Sequence, residues 1–311
     1  MQPKDQHLLF VINPIAGVLE KEEIANSIEL HCKKYNLSKS IYFTTGEDDR
    51  QKIEEKIREN KFDVVVAVGG DGTVNMLASL LVNTDITLGI LPHGSGNGMA
   101  KDLEIPLELN EALTLLCDCR AWPIDVLEVN GYYFIHLSDL GFNARVVELF
   151  AKEKSRGLST YTRIALEEFR EYEPTRYKIV TDEDSEVFVG KAFMISIANA
   201  RQFGTRLKIN PGGDVADGKF EILIIEPFPK IASPGLFVQM LFENIDDTNY
   251  SRVIKATRAT IWNYDNAPLH IDGEPKNFDE KLEFRILPSA LKVIYPKSKV
   301  QDLVRKTNAE I

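Results

Sequence analysis

The chain has 311 residues, a formal net charge of −10, and 44% hydrophobic and 27% charged residues. That length exceeds what one core usually organises, so two domains are expected. The acidic balance argues against nucleic acid as a partner, because a phosphate backbone needs a basic face. No run approaches the ~18 apolar residues of a membrane span, and the polar start, Met1 to His7, lacks a signal-peptide pattern. Three cysteines, Cys32, Cys117 and Cys119, show no ligand spacing and read as reduced thiols of a cytoplasmic protein.

The first third alternates strand and helix. Leu8 to Ile12 is an apolar run that ends at Asn13-Pro14-Ile15-Ala16-Gly17. Residues 20–35 set Ile24, Ile28 and Leu30 among charges, as an amphipathic helix does. A strand at 40–44 and a helix at 48–60 follow. Five consecutive residues, Val64 to Val68, then stop at Gly69-Gly70-Asp71-Gly72-Thr73-Val74-Asn75, with helix formers from Met76 to Leu81. This pattern is a buried parallel strand, a tight turn and a helix start. Gly69, Gly70 and Gly72 let backbone and ligand approach closely. The free N–H groups and dipole of the helix start favour phosphate. The plainer alternative is a glycine-rich turn with Asp71 as a cap. Two common phosphate motifs are absent: no Lys follows for a Walker loop, and the third glycine position of G-x-G-x-x-G is Asn75.

A fourth strand, 86–91, enters Pro92-His93-Gly94-Ser95-Gly96-Asn97-Gly98, and a short helix is expected at 99–103. This order implies a parallel sheet with right-handed crossovers. The loops 13–17, 69–75 and 92–98 should meet at one sheet edge and form a nucleotide cleft. Cys117 and Cys119 fall on an expected helix, 110–119, and read as small buried hydrophobes.

Near Trp122-Pro123-Ile124 the pattern changes. Asp125 to Val129, Asn130-Gly131 and Tyr132 to Leu137 form a hairpin signal. Strands are expected at 176–181, 187–198, 219–225, 258–264, 269–271, 281–286 and 291–295. Helices are expected at 143–154 and 159–172, with a terminal one at 298–307. The fold expectation is α/β plus all-β. A Rossmann-like parallel-sheet nucleotide domain spans 1–122, an antiparallel β-sandwich domain spans 123–295, a cleft lies between them, and a tail covers 296–311.

Several motifs together carry a family likeness: Asn13-Pro14-x-x-Gly17, Gly69-Gly70-Asp71-Gly72-Thr73, Leu91-Pro92-x-Gly94-Ser95-x-Asn97, Ser138-x-x-Gly141-Phe142-x-Ala144, Asn199-Ala200 with Phe203-Gly204, then Pro211 and Asp217-Gly218, and Asp272-Gly273-Glu274. The chain resembles, nearly end to end, the diacylglycerol kinase catalytic-domain family, which includes bacterial YegS-like lipid kinases, sphingosine kinases and ceramide kinases. The resemblance implies ATP and Mg²⁺ in the cleft, a lipid hydroxyl as acceptor, and a tail that packs back on the first domain. It also implies transient contact with a membrane surface and a homodimer through the β domain. Ala16 stands where the family usually has a hydroxyl residue, and Gly98 where Asp is common. Gly94-Ser95-Gly96-Asn97 looks like the sphingosine and ceramide branch, Gly72-Thr73-Val74-Asn75 like the bacterial glycerolipid branch. The acceptor therefore stays open among diacylglycerol, a long-chain base, ceramide and phosphatidylglycerol.

By that likeness Glu274 is the general base, since an alcohol attacks phosphorus well only as a base removes its proton. Asp272 orients the site or shares Mg²⁺ with Asp71, because hard cations favour carboxylate and phosphate oxygens. The cofactor-binding set is Asn13, Gly17, Thr44, Gly69, Gly70, Asp71, Gly72, Thr73, Asn75, Gly94, Ser95 and Asn97. Asp214, Asp217 and Lys219 match a loop that holds a structural Mg²⁺ in bacterial relatives, with an ordinary Asp-Gly turn as the alternative. His93 sits beside the phosphates, His136 and His270 lie within strands as packed or capping residues, and no zinc site is expected. Arg156, Arg201 and Arg206 read as surface cations, the last two with anionic lipid as a second reading. Phe142, Phe150, Leu158, Tyr161, Ile164 and Phe169 read first as a core stripe and second as a lipid groove. Two rival functions remain: a kinase for a soluble acceptor such as NAD, whose usual Asn-Glu pair is not found, and a non-catalytic lipid-binding protein, which the intact acids disfavour.

Overall fold

A computed structural model describes residues 6–17, 21–117, 121–153, 157–182, 187–199, 215–229, 249–294 and 296. Asp214, Ala200, Phe203, Gly204, Pro211, Arg156, Arg201, Arg206, Cys119, the Leu158 side chain and the expected tail helix lie outside the described residues. The chain divides into two compact units. One takes the described residues up to Ile124 together with those from Ser289 onward, and the other is Asp125–Pro288.

The first unit alternates as its hydrophobic pattern requires: β1 (His7–Ile12), α1 (Lys21–Tyr35), β2 (Ser38–Phe43), α2 (Asp49–Glu59), β3 (Val64–Gly69), α3 (Asp71–Leu81), β4 (Thr87–Pro92), α4 (Gly98–Asp102) and α5 (Leu109–Cys117). The strands pair in parallel in the order β2-β1-β3-β4. All six residues of β3 are buried, as a central strand covered on both faces demands. Helix α1 turns Ile24, Ile28 and Cys32 inward, and α3 turns Val74, Leu77, Ala78 and Leu81. Cys117 donates its thiol to the Leu113 carbonyl at 3.3 Å on α5. The chain reverses direction across the sheet between β1 and β3, so the loops after these two strands flank the switch point where such sheets bind ligands.

The second unit begins within β5 (Ala121–Val129) and continues through β6 (Tyr132–Phe134), β7 (Leu137–Gly141), α6 (Phe142–Lys152), α7 (Leu158–Glu171), β8 (Thr175–Thr181), β9 (Phe188–Ala192), β10 (Met194–Ala198), β11 (Phe220–Ile225), β12 (Ser251–Ala256), β13 (Arg258–Asn263), β14 (Leu269–Ile271), β15 (Glu274–Lys276) and β16 (Lys281–Ile294). One antiparallel sheet runs β12-β11-β10-β7-β14-β15. The other layer pairs β9 with β8, β8 with β13 and β13 with the first part of β16, and β5 pairs with β6. Leu140, Ile195, Ile197, Ile222 and Leu269 from the first layer meet Tyr177, Ile179, Ile261, Leu282 and Phe284 from the second in one core, which makes the unit a sandwich.

Several expectations change in detail. The run expected at 132–137 breaks at Ile135-His136, so His136 lies in a bend between β6 and β7 and not within a strand. The run at 187–198 is two strands meeting at Phe193, and the runs at 281–286 and 291–295 are one strand, β16. Its residues 292 and 293 pair in parallel with β4, so residues expected in the second domain complete the first unit's sheet. Among the described residues no helix is long and apolar enough to cross a membrane.

Candidate active site

The loops of the first unit are laced by main-chain bonds that extend the parallel pairing past the strand ends. Thr44 N–H donates to Ile12 O (2.9 Å), Asn13 N–H to Val68 O (2.9 Å) and His93 N–H to Gly69 O (2.8 Å). Asn13, Gly69 and His93 are thereby held side by side, and the three loops expected together do meet. Glycine makes the contact possible. Gly17 (φ +73°) lies against His93, where a Cβ would stand 2.4 Å from Nε2. A Cβ on Gly94 would stand 2.4 Å from the Gly70 Cα, and one on Gly69 would stand 2.5 Å from Thr73 Oγ1.

The side chains then sort by what they touch. Asp71 opens α3, and its Oδ1 accepts the Met99 N–H at 3.2 Å. That bond ties the first turn of α3 to α4, and a Cβ on Gly96 would lie 2.9 Å from Asp71 Oδ2. Thr73 is buried and turned back on Gly69. Asn97 (φ +54°) closes its own loop: Oδ1 accepts Gly94 N–H and Nδ2 donates to Gly94 O, both at 2.8 Å. Its amide therefore shapes the loop. Ser95 and Gly72 are exposed, and Lys101 Nζ donates to Gly96 O at 2.5 Å. Asn13 Oδ1 accepts Ile15 N–H at 3.2 Å. Asn75 Oδ1 and His93 Nε2 are buried and find no hydrogen-bond partner among the described residues. Orphaned buried polar atoms are rare in native proteins and collect where a ligand, ion or water completes the bonding.

These residues fit a nucleotide phosphate: a helix start, closely packed glycine backbone and two buried polar atoms without partners among the described residues. They also fit Mg²⁺ held by one carboxylate plus phosphate oxygens, with Asp71 as the carboxylate. Among the described residues no group of three or more His, Cys, Asp or Glu side chains could hold a metal alone.

The second unit carries the late acidic motif on the β14–β15 hairpin. Asp272 (φ +46°) and Gly273 (φ +82°) are its two central residues, both left-handed as a type I′ turn requires. Asp272 is buried. Its Oδ1 accepts Leu137 N–H at 2.8 Å and its Oδ2 accepts Ile135 N–H at 3.3 Å, while its own N–H donates to Leu137 O. The carboxylate therefore anchors the turn to β7. Glu274 is exposed, with Lys276 Nζ 3.1 Å from Oε2. Lys276 was not anticipated, although residues two apart on a strand share a face. Asp217 accepts Lys219 N–H at Oδ1 (3.0 Å), and Asp125 Oδ2 accepts the neighbouring Gly218 N–H (2.7 Å). The aromatic residues of α6 and α7 are partly buried and pack on one another and on the sheet. Phe142 lies 4.6 Å from Phe193 and 6.0 Å from Phe169 between ring centroids, and Ile164 is buried.

Residues 7–129 match the family described as diacylglycerol kinase catalytic domain, and residues 138–295 match the YegS C-terminal NAD kinase beta sandwich-like domain. The chain therefore belongs to the diacylglycerol kinase catalytic-domain family. It is an enzyme of the lipid kinase class. It is 31% identical over 280 residues to a probable YegS-like lipid kinase of Pectobacterium atrosepticum, covering 87% of this chain and 90% of that one. To a diacylglycerol kinase of Bacillus subtilis it is 27% identical over 307 residues, 94% of this chain and 97% of that one. A solved putative diacylglycerol kinase of Bacillus anthracis has a TM-score of 0.79 at 22% identity, over 94% of this chain and 98% of that one. An NAD kinase of Archaeoglobus fulgidus solved with ATP has a TM-score of 0.55 at 12% identity, over 97% and 99%. At these identities the two structures show the fold alone.

Proposed function

We propose that the chain transfers the γ-phosphoryl group of ATP to the hydroxyl of a lipid acceptor. The observation that carries this reading is the lacing of three glycine-bearing loops at the sheet's switch point, headed by Asp71 at a helix start. In this reading Asn13, Gly17, Thr44, Gly69, Gly70, Gly72, Asn75, Gly94 and Ser95 line the nucleotide. Thr73 and Asn97 shape the loops that do so. Asp71 would hold Mg²⁺, which would neutralise phosphate charge.

Glu274 takes the proton of the acceptor hydroxyl as its oxygen bonds to the γ-phosphorus. The bond from that phosphorus to the β–γ bridging oxygen breaks, and ADP leaves with the electron pair. The exposed Glu274 carboxylate suits this task, whereas the buried Asp272 carboxylate is engaged by main-chain amides and orients the turn. The loop of Asp217 and Lys219 is assigned a structural role, and a divalent ion there would be held chiefly by main-chain oxygens. A lipid acceptor implies a cytoplasmic protein that visits a membrane surface, and a homodimer through the second unit belongs to the same reading.

The test incubates purified protein with γ-labelled ATP, Mg²⁺ and separate vesicles containing diacylglycerol, a long-chain base, ceramide or phosphatidylglycerol, with NAD as a soluble arm. Label in one lipid is the expected result. Label in NAD alone, or in none of the acceptors, would overturn the proposal.

A further inference from the structure

The face of the six-stranded sheet beneath α6 and α7 is packed with Leu137, Met194, Leu223 and Ile225 against Phe142 and Phe193. A polar row crosses it. Ser196 on β10, Asp139 on β7 and His270 on β14 are direct cross-strand partners, so their side chains share one face. Asp139 and Ser196 are fully buried and His270 is 1% exposed. Asp139 Oδ2 accepts His270 Nε2–H at 2.9 Å and also the Asn143 Nδ2–H of α6. Tyr161 of α7 donates its hydroxyl to Asn143 Oδ1 at 2.5 Å. Burial, and then the Asp139 charge, push the Tyr161 phenol up, so it stays a donor.

Such a network is a poor way to stabilise an interface that apolar side chains would fill at least as well. What it does provide is a defined imidazole. Gly273 N–H donates to His270 Nδ1 at 3.3 Å. With Nδ1 accepting, the proton sits on Nε2, where Asp139 receives it. Ser138 Oγ–H fixes the His270 carbonyl at 2.8 Å. The chain of bonds runs from a buried acid through the imidazole to the centre of the turn that precedes Glu274.

We propose that His270, oriented by Asp139, is a positioning residue that sets the Asp272-Gly273-Glu274 turn for phosphoryl transfer. The proposal rests on Glu274 as the base. Asp272 pins the turn from one side through Leu137, and His270 pins it from the other through Gly273. A base displaced by ~1 Å costs up to about 10²-fold in rate.

Two near-isosteric variants separate the roles of the ring nitrogens. His270→Asn keeps an acceptor where Nδ1 stands, and His270→Gln keeps a donor where Nε2 stands. Each is assayed with γ-labelled ATP and diacylglycerol micelles, or the lipid that the acceptor panel selects. Hydrogen–deuterium exchange of the peptide spanning 269–276 is measured in parallel. His270→Gln is expected to lose roughly tenfold or more in kcat, with KM for ATP unchanged and faster exchange at Gly273. His270→Asn is expected to restore most of both. Equal behaviour of the two variants, or wild-type exchange at Gly273 in His270→Gln, would overturn the proposal. If Glu274→Gln is fully active, the base reading fails, and the exchange comparison still decides whether His270 sets the turn.

Discussion

Gly94 lies against Gly70 so closely that a side-chain carbon on Gly94 would stand 2.4 Å from the Gly70 Cα. The Gly70 Cα is backbone and a Cβ is fixed directly to the backbone of residue 94, so neither can swing aside. Gly94→Ala must part the two loops or strain them, at about 1–3 kcal/mol. Calorimetry with ATP is expected to show roughly tenfold weaker binding, or about 1.4 kcal/mol. Gly190→Ala is the control, because its nearest neighbours are Phe188 ring carbons at 3.5 and 3.9 Å. Equal ATP affinity for the two variants would mean that the loop contact does not build the nucleotide site.

Asp71 combines a structural bond with a charge, and Asn at this position separates them. Asp71→Asn keeps an oxygen for the Met99 N–H and should melt within a few degrees of wild type. Turnover is expected to fall by about 10²-fold or more as phosphate charge loses its carboxylate-held cation. A variant that keeps its rate and its Mg²⁺ dependence would remove Asp71 from the metal site.

Asp272 is expected to behave in the opposite way. Its carboxylate accepts two main-chain N–H groups, and Asp272→Ala strands both. Urea unfolding should record a loss of about 2–4 kcal/mol, with a smaller loss for Asp272→Asn, which keeps one acceptor oxygen. Unchanged stability in the Ala variant would contradict the anchoring role.

The loop after β2 carries a pH-dependent element. Burial alone would raise the Asp49 carboxyl; bonds from Thr45 N–H, Tyr42 O–H and Gly46 N–H outweigh it and hold the group below the usual carboxylate range. A depressed folded-state value stabilises the loop above the unfolded value of about 3.9. The contribution disappears as pH falls through the lower folded value. Protection of the Thr45 and Gly46 amides, taken relative to the intrinsic exchange rate at each pH, should therefore be high near neutrality and fall below about pH 4. Asp49→Ala, which removes the acceptor, should show little protection at both pH values, and high protection near neutrality in that variant would refute the assignment.

The three glycine-bearing loops were legible because their signal is local. Five β-branched or small residues before Gly69, and glycines spaced to allow close backbone contact, announce a strand–turn–helix wherever they occur. The parallel order of β1 to β4 follows from the helices between them. Strands β12 and β15 escaped notice because Ser251–Ala256 and Glu274–Lys276 are too polar or too short to show alternation. Pro288-Ser289 made β16 read as two strands. The His270–Asp139 pair spans 131 residues, and only strand register brings it together. An acid in the β7 run also reads as solvent-facing, whereas α6 and α7 cover that face. Separations of 137 and 135 residues likewise hid the partners of Asp272, whose Asp-Gly turn was legible and whose burial was not.

The most direct test of the account is the initial rate of label transfer from γ-labelled ATP to the accepted lipid by Glu274→Gln, with ATP affinity measured on the same preparation. General-base catalysis contributes typically about 10²–10⁴-fold. The account expects a loss in that range with ATP affinity and unfolding midpoint unchanged. Lipid product formed by Glu274→Gln at the wild-type rate would contradict it.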